Sequence, residues 1–215
     1  MALVVFDLDG VLIDSREANY QAFSEGLKAV GLPLPEPPSV IGLIGRSAQE
    51  MLRILGCPPE RVDEVFAQVV QPYYLAHLEH LARPVEGAAA VLQELRQRGH
   101  RLAACTSGDR STQLRALQMM DLWDYFEDMQ TPDDSRFRKP EVEFLQEQIQ
   151  RLGYAGPVLH VEDSPVGLEM GLRWGATTVF ADYGFGRPET WQPHFRIAAL
   201  PQLLEIAEVW DRNSA

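Results

Sequence analysis

Two carboxylates stand two residues apart where an apolar run ends, in Leu3-Val-Val-Phe-Asp7-Leu-Asp9-Gly10-Val-Leu-Ile-Asp14-Ser15. Side chains alternate faces on an extended strand, so the spacing predicts Asp7 and Asp9 projecting together toward solvent with Leu8 opposite. Asp-Gly between apolar runs is equally a hairpin signal, and this segment alone leaves both readings open. Further along, Thr106-Ser107-Gly108 follows the apolar Leu102-Ala-Ala-Cys105, Lys139-Pro140 precedes a helical pattern, and Glu162-Asp163-Ser164 closes the apolar run 158–161. Acids, a hydroxyl and an ammonium placed in this way suit phosphoryl transfer assisted by a divalent cation. Magnesium takes hard oxygen ligands, which Asp7, Asp163 and a backbone carbonyl would supply. A carboxylate attacking a phosphate dianion meets like-charge repulsion, which the metal and Lys139 would neutralise.

Each piece also has a plainer reading. Thr106 and Ser107 suit a helix cap, and Ser164-Pro165 suits an N-cap followed by proline in the first turn. Lys139 suits a solvated residue ahead of a helix. Those readings leave unexplained why such groups recur at four strand ends or helix starts.

The elements needed to gather these groups are legible as changes in hydrophobic period. Helical spacing runs from Ser15 to Gly31, and a proline-rich connector over 33–38 leads to helical patterns at 47–55 and 60–81, with a break expected at Pro72. After Arg83-Pro84 the pattern alternates. It gives helix 87–98, strand 101–105, helix 111–120, a short strand near 128, helix 141–152, strand 157–161, helix 166–174 and strand 177–180. Alternation of this kind predicts an α/β fold with a parallel, Rossmann-like sheet. Residues 1–14 and 84–215 are expected to form that core, and 15–83 an inserted α-helical cap, because a lone first strand could not satisfy its backbone groups without the later strands. Ligands of open parallel sheets gather at the carboxyl ends of the strands, where every polar group of interest falls.

Composition narrows the partners. The chain has 215 residues, 46% of them hydrophobic, and a formal net charge of −12, which argues against nucleic acid or anionic membrane as a partner. Cys57 and Cys105 are its only cysteines and have no metal-ligand spacing, so a reducing cytoplasm is expected. No charged-then-apolar leader precedes the first strand, and no apolar run reaches the ~18 residues of a membrane span. Lys28 and Lys139 are the only lysines among many arginines, which marks Lys139 as a place where a compact ammonium is needed.

With these residues in view, the sequence resembles the haloacid dehalogenase superfamily, in its phosphoglycolate phosphatase and β-phosphoglucomutase-like branch with a helical cap. The motifs are Asp7-Leu8-Asp9-Gly10-Val11, Thr106 after its apolar strand, Lys139-Pro140, and Glu162-Asp163-Ser164-Pro165-Val166-Gly167. The resemblance implies a phosphatase acting on a small phosphorylated metabolite. It makes Asp7 the nucleophile, Asp9 the general acid and base, Thr106 a hydrogen-bond donor to the phosphoryl oxygens and Lys139 their counter-charge. Magnesium would be held by Asp7, the Asp9 carbonyl and Asp163, with Glu162 reaching it through water. Ser107 and Gly108 would line the phosphate site, and Arg46 and Ser47 of the cap would contact the leaving group. Asn19 stands where the mutase has a histidine, and Ala48 rather than Arg follows Gly45-Arg46-Ser47, so a phosphatase is favoured over a sugar phosphomutase. A non-catalytic phosphometabolite-binding regulator would usually have lost Asp7, Asp9 or Lys139, and this chain keeps all three. Tyr183-Gly-Phe-Gly186 resembles a loop of phosphoglycolate phosphatases and reads equally as a plain turn. His160 is expected as a core histidine, and Tyr73, His77 and His80 as cap packing or surface. Oligomeric state is not legible.

Overall fold

The apolar run at the start of the chain becomes β1 (Leu3–Phe6), buried along its whole length. The structure, a computed structural model, describes residues 2–188 and 190–213. After β1 come β2 (Ile13–Asp14), α1 (Arg16–Ala29), α2 (Pro37–Ile41), α3 (Ala48–Ile54), α4 (Val62–Val65), a π-helical stretch (Phe66–Val70) and α5 (Gln71–Leu81). The chain continues through β3 (Arg83–Pro84), α6 (Ala88–Gln97), β4 (Arg101–Cys105), α7 (Arg110–Met119), β5 (Asp128–Gln130) and α8 (Val142–Arg151). It finishes with β6 (Val158–Glu162), α9 (Pro165–Trp174), β7 (Thr177–Ala181), β8 (Phe195–Ile197) and α10 (Leu203–Asn213).

Six strands form one parallel sheet in the order β5-β4-β1-β6-β7-β8, so the fold is α/β and Rossmann-like as expected. β1 lies at the centre, with Phe6 opposite Ala104 on one side and Val161 on the other. Its residues alternate between faces, Val4 and Phe6 joining one apolar cluster and Leu3 and Val5 the other. Because both faces are covered, β1 reads as a continuous apolar run rather than an alternating one.

Several elements differ from the sequence reading. Pro37 and Pro38 start α2 rather than merely linking, since proline fits the first helical turn, where no N–H partner exists. No break occurs at Pro72, which occupies the opening turn of α5 directly after the π-helical stretch. The wider turn takes up the missing N–H, so the chain stays helical. β8 and α10 extend the fold beyond the last expected strand. The pairing of β2 with β3 was also not expected: Ile13 lies opposite Pro84 and Asp14 opposite Arg83, so the two chain crossings between sheet and helices run side by side. Asp14 holds them, accepting from Arg16 Nε at 2.7 Å and from an Arg83 amino group at 3.1 Å.

Leu8 is fully buried between the two acids of the first motif. Truncation to Ala removes its packing from the core side of that turn. Leu8→Ala is expected to cost about 2–5 kcal/mol, read from the shift in a urea unfolding curve.

Candidate active site

Asp7 keeps the ladder going one residue past β1, its N–H donating to Val161 O at 2.9 Å. The chain then turns. The N–H groups of Val11, Leu12 and Ile13 all donate to Leu8 O, at 3.2, 2.9 and 2.9 Å, and Gly10 N–H donates to Ile13 O at 2.8 Å. Gly10 sits at φ +84, and a Cβ there would strike the Asp163 carboxylate. Glycine thus provides both the left-handed backbone and the close approach of the two acidic loops. This geometry corrects the expectation that Asp7 and Asp9 face solvent. Both are buried, because the turn folds them under neighbouring loops, while Leu8 does point the other way into the core.

The distant motifs converge on Asp7. Lys139, reached through a cis Lys139–Pro140 peptide, donates from Nζ to Asp7 Oδ1 at 2.6 Å and also to Glu162 Oε1. Its ammonium is wholly buried, which excludes the solvated reading. Glu162 Oε2 accepts from Ser164 Oγ at 3.0 Å, so both its oxygens are engaged. Asp163 Oδ2 accepts from the Phe185 N–H at 2.7 Å. The Tyr183-Gly-Phe-Gly186 loop therefore grips an acid of the cluster. Asp7 Oδ2 and Asp163 Oδ1 are buried with no hydrogen-bond partner among the described residues. Carboxylate oxygens of Asp7, Glu162 and Asp163 lie within 4.8 Å of one another.

One ammonium does not balance so many buried acids. Burial pushes Asp7 up to about 7 against the pull of Lys139, with Glu162 adding to the rise. Asp9 rises to about 6, again through burial first, and the Ser15 hydrogen bond opposes it. Burial and then the Asp7 charge hold Asp163 well above the carboxylate range. Burial opposes the charge on Lys139, yet Asp7 and Glu162 keep it above the ordinary lysine value. His160 is buried with no hydrogen bond from either ring nitrogen among the described residues, Nε2 lying 3.6 Å from Glu162 Oε1, and burial followed by the Lys139 charge pushes it down to about 3, which fits a neutral core histidine.

A cavity opens beside Asp7 and Asp9, lined on the sheet side by Thr106, Ser107, Gly108 and Gln113 and on the helical side by Asn19, Arg46, Phe66 and Tyr74 among others. Thr106 Oγ1 accepts the Gly108 N–H at 3.1 Å, which leaves its own proton to donate. Ser107 Oγ donates to Gly45 O at 2.7 Å, a tie between the two walls. Arg46 is paired with Glu50. Ser47 caps α3 by accepting the Glu50 N–H at 3.3 Å, and it lines neighbouring grooves rather than this cavity. Tyr73 stacks on His77 with ring centroids 4.0 Å apart, a packing contact as expected.

Three contacts to Asp9 or its partners escaped sequence reasoning. Ser15 Oγ donates to Asp9 Oδ1, Gln113 Nε2 donates to Asp9 Oδ2 at 2.7 Å, and Asn19 Nδ2 donates to Ser15 Oγ at 3.1 Å. In the sequence Ser15 marks only the start of helical spacing, and nothing in the local pattern marks a glutamine inside a helix as a site residue.

A parallel sheet with a carboxylate-lined cavity at the carboxyl ends of its central strands defines a Rossmann-like α/β enzyme. Residues 4–181 match the haloacid dehalogenase-like hydrolase family, and the chain belongs to it. It is 25% identical over 210 residues to a phosphoglycolate phosphatase of Aquifex aeolicus, covering 97% of each chain. It is 27% identical over 210 residues to the pyrophosphatase PpaX of Halalkalibacterium halodurans, covering 96% of each. A solved structure of a predicted phosphoglycolate phosphatase from Haemophilus somnus shares the fold, with a TM-score of 0.88, 21% identity and coverage of 96% of this chain and 98% of that one.

The two lysines should separate cleanly by substitution. Lys139→Met strands buried Asp7 and Glu162 charges and is expected to cost about 3–5 kcal/mol in urea unfolding at neutral pH. Lys28→Met, which removes an exposed pair with Glu25, should leave the midpoint in place.

Proposed function

We propose that the protein is a magnesium-dependent phosphatase that hydrolyses a small phosphomonoester through an aspartyl phosphate on Asp7. The observation that carries this reading is the pair of buried carboxylate oxygens, Asp7 Oδ2 and Asp163 Oδ1, that no donor among the described residues satisfies. Buried acceptors are ordinarily paired, and an acid cluster of this excess calls for a cation. The donor set fits magnesium, which takes hard oxygens and keeps waters for its remaining positions. Asp7, Asp163 and the Asp9 carbonyl would hold it. Glu162, with both oxygens engaged, serves chiefly as the partner of Lys139. When magnesium is bound, its contribution is to neutralise the phosphoryl oxygens.

Asp7 attacks phosphorus, and its new P–O bond forms as the ester P–O bond breaks. Asp9 gives its proton to the departing alcohol oxygen, then takes one from the water that hydrolyses the acyl phosphate. Lys139 steadies Asp7 and the transferring oxygens, and the Thr106 hydroxyl donates to one of them. The Ser107 and Gly108 main chain shapes the phosphate site. Residues 15–83 act as the cap, closing over the leaving group and excluding water, with Arg46 at its rim.

The substrate class is a small phosphoester of the phosphoglycolate kind, in line with the names of the relatives. Asn19, which spends its amide on Ser15, favours hydrolysis over a mutase reaction. No helix among the described residues is long and apolar enough to cross a membrane, and the free, buried Cys57 and Cys105 suit a reducing cytoplasm.

Two measurements test the reading. Asp7→Asn should fold normally by circular dichroism and lose phosphate release by roughly 10³-fold or more, and an unchanged rate removes Asp7 from the mechanism. Magnesium at about a hundredfold its dissociation constant should stabilise the wild type by about 2.7 kcal/mol over the EDTA-treated protein in thermal unfolding, and Asp163→Asn should abolish that gain.

A further inference from the structure

Asp9 is gripped from two sides, and one grip comes from far along the chain. Ser15, six residues on, donates to Oδ1, while Gln113 of α7 donates from Nε2 to Oδ2 at 2.7 Å across 104 residues of sequence. Gln113 is 4% exposed and lines the cavity beside Asp9. With Asp9 ionised, only the NH₂ end of the amide can face its oxygen. The surroundings are cut to fit it. A Cβ on Gly108 would collide with Gln113 Nε2, so glycine at that position makes room for the amide. A buried glutamine whose Oε1 has no partner among the described residues is costly in a helix that also buries Thr112, Ala116 and Leu117, and an apolar residue there would avoid the penalty.

We propose that Gln113 is a positioning residue for Asp9, fixing the carboxyl group so that it can pass its proton to the leaving oxygen. The inference rests on Asp9 being the acid and base of the proposed reaction. Two donors on two oxygens remove the rotational freedom of the side chain about its last bond, and proton transfer depends steeply on such orientation. In the first half-reaction the Asp9 proton moves to the ester oxygen as that oxygen leaves phosphorus and Asp7 takes its place. A carboxyl group held only by Ser15 would spend less of its time aimed at that oxygen. The effect belongs to the proton-transfer step and not to phosphate binding.

That distinction sets the experiment. Gln113→Leu is compared with wild type on an alkyl phosphate, whose alkoxide needs a proton to leave, and on p-nitrophenyl phosphate, whose leaving group departs without one. The readout is kcat/KM, which covers steps only up to loss of the leaving group. The expected result is a loss of about tenfold or more on the alkyl ester with a change under about threefold on the nitrophenyl ester. Equal losses on both esters, or no loss on either, overturn the proposal, because a merely structural role would not favour one leaving group over the other. Gln113→Met keeps the length and lacks the amide, so it carries the same expectation if the leucine variant does not fold. Asp9→Asn run alongside separates the two levels. If it leaves alkyl ester hydrolysis intact, the role of Asp9 itself is wrong. If it abolishes that activity while Gln113→Leu leaves the ratio of the two esters at its wild-type value, only the role of Gln113 fails.

Discussion

The buried ammonium of Lys139 between Asp7 and Glu162 is the interaction on which the site depends. A lysine taken fully out of water is stable as a cation only where carboxylates surround it, and carboxylates packed this closely are stable as anions only where a cation offsets them. Each side of the arrangement therefore requires the other. The ion pairs join the loop after β1, the turn before α8 and the end of β6, segments separated by 132 and 23 residues in sequence. Fold and charge are linked here, because losing the pairing would leave an uncompensated charge at the centre of the sheet.

Topology explains why those segments can meet. β1 sits between β4 and β6, so the loops that follow these three strands open on the same edge of the sheet. Thr106 after β4, Asp7 and Asp9 after β1, and Asp163 after β6 are brought together by strand order alone, as crevices at the carboxyl ends of parallel strands require. Lys139 reaches in from the turn ahead of α8. The helices between β2 and β3 complete the cavity from above, and Ser107 to Gly45 and Gln71 to Asp109 bond the two walls, at 2.7 and 2.8 Å.

Much of this was legible in the sequence because apolar runs and helical spacing mark buried strands and amphipathic helices directly. The four motifs were visible as polar groups placed at the ends of those runs. What escaped was set by contacts that no local pattern records. Asp7 and Asp9 looked solvent-facing because alternation tells which side a residue takes, not what later covers that side. Ser15 shows in the sequence only as the start of helical spacing, whereas in the fold its hydroxyl is drawn to Asp9. Gln113 occupies a helical position whose neighbours gave no hint of a partner 104 residues away. The β2–β3 pairing joins two-residue strands, too short for a period of two to show.

The neighbouring acids Glu162 and Asp163 show how the backbone divides labour between identical charges. Glu162 is the last residue of β6 and Asp163 the first beyond it, and although oxygens of both lie within 4.8 Å of each other and of Asp7, their hydrogen-bond partners differ. Glu162 turns to Lys139 and Ser164, where both its oxygens find donors. Asp163 turns toward Gly10 and the 183–186 loop, where the Phe185 N–H occupies one oxygen and the other has no hydrogen-bond partner among the described residues. One acid balances the resident cation, and in the proposed reaction the other is open to a bound one. Exchanging the two side chains would defeat both tasks, since the shorter aspartate reaches less far toward the ammonium and the longer glutamate would crowd the loop that meets Gly10. The order Glu-Asp thus follows from the reach of each side chain.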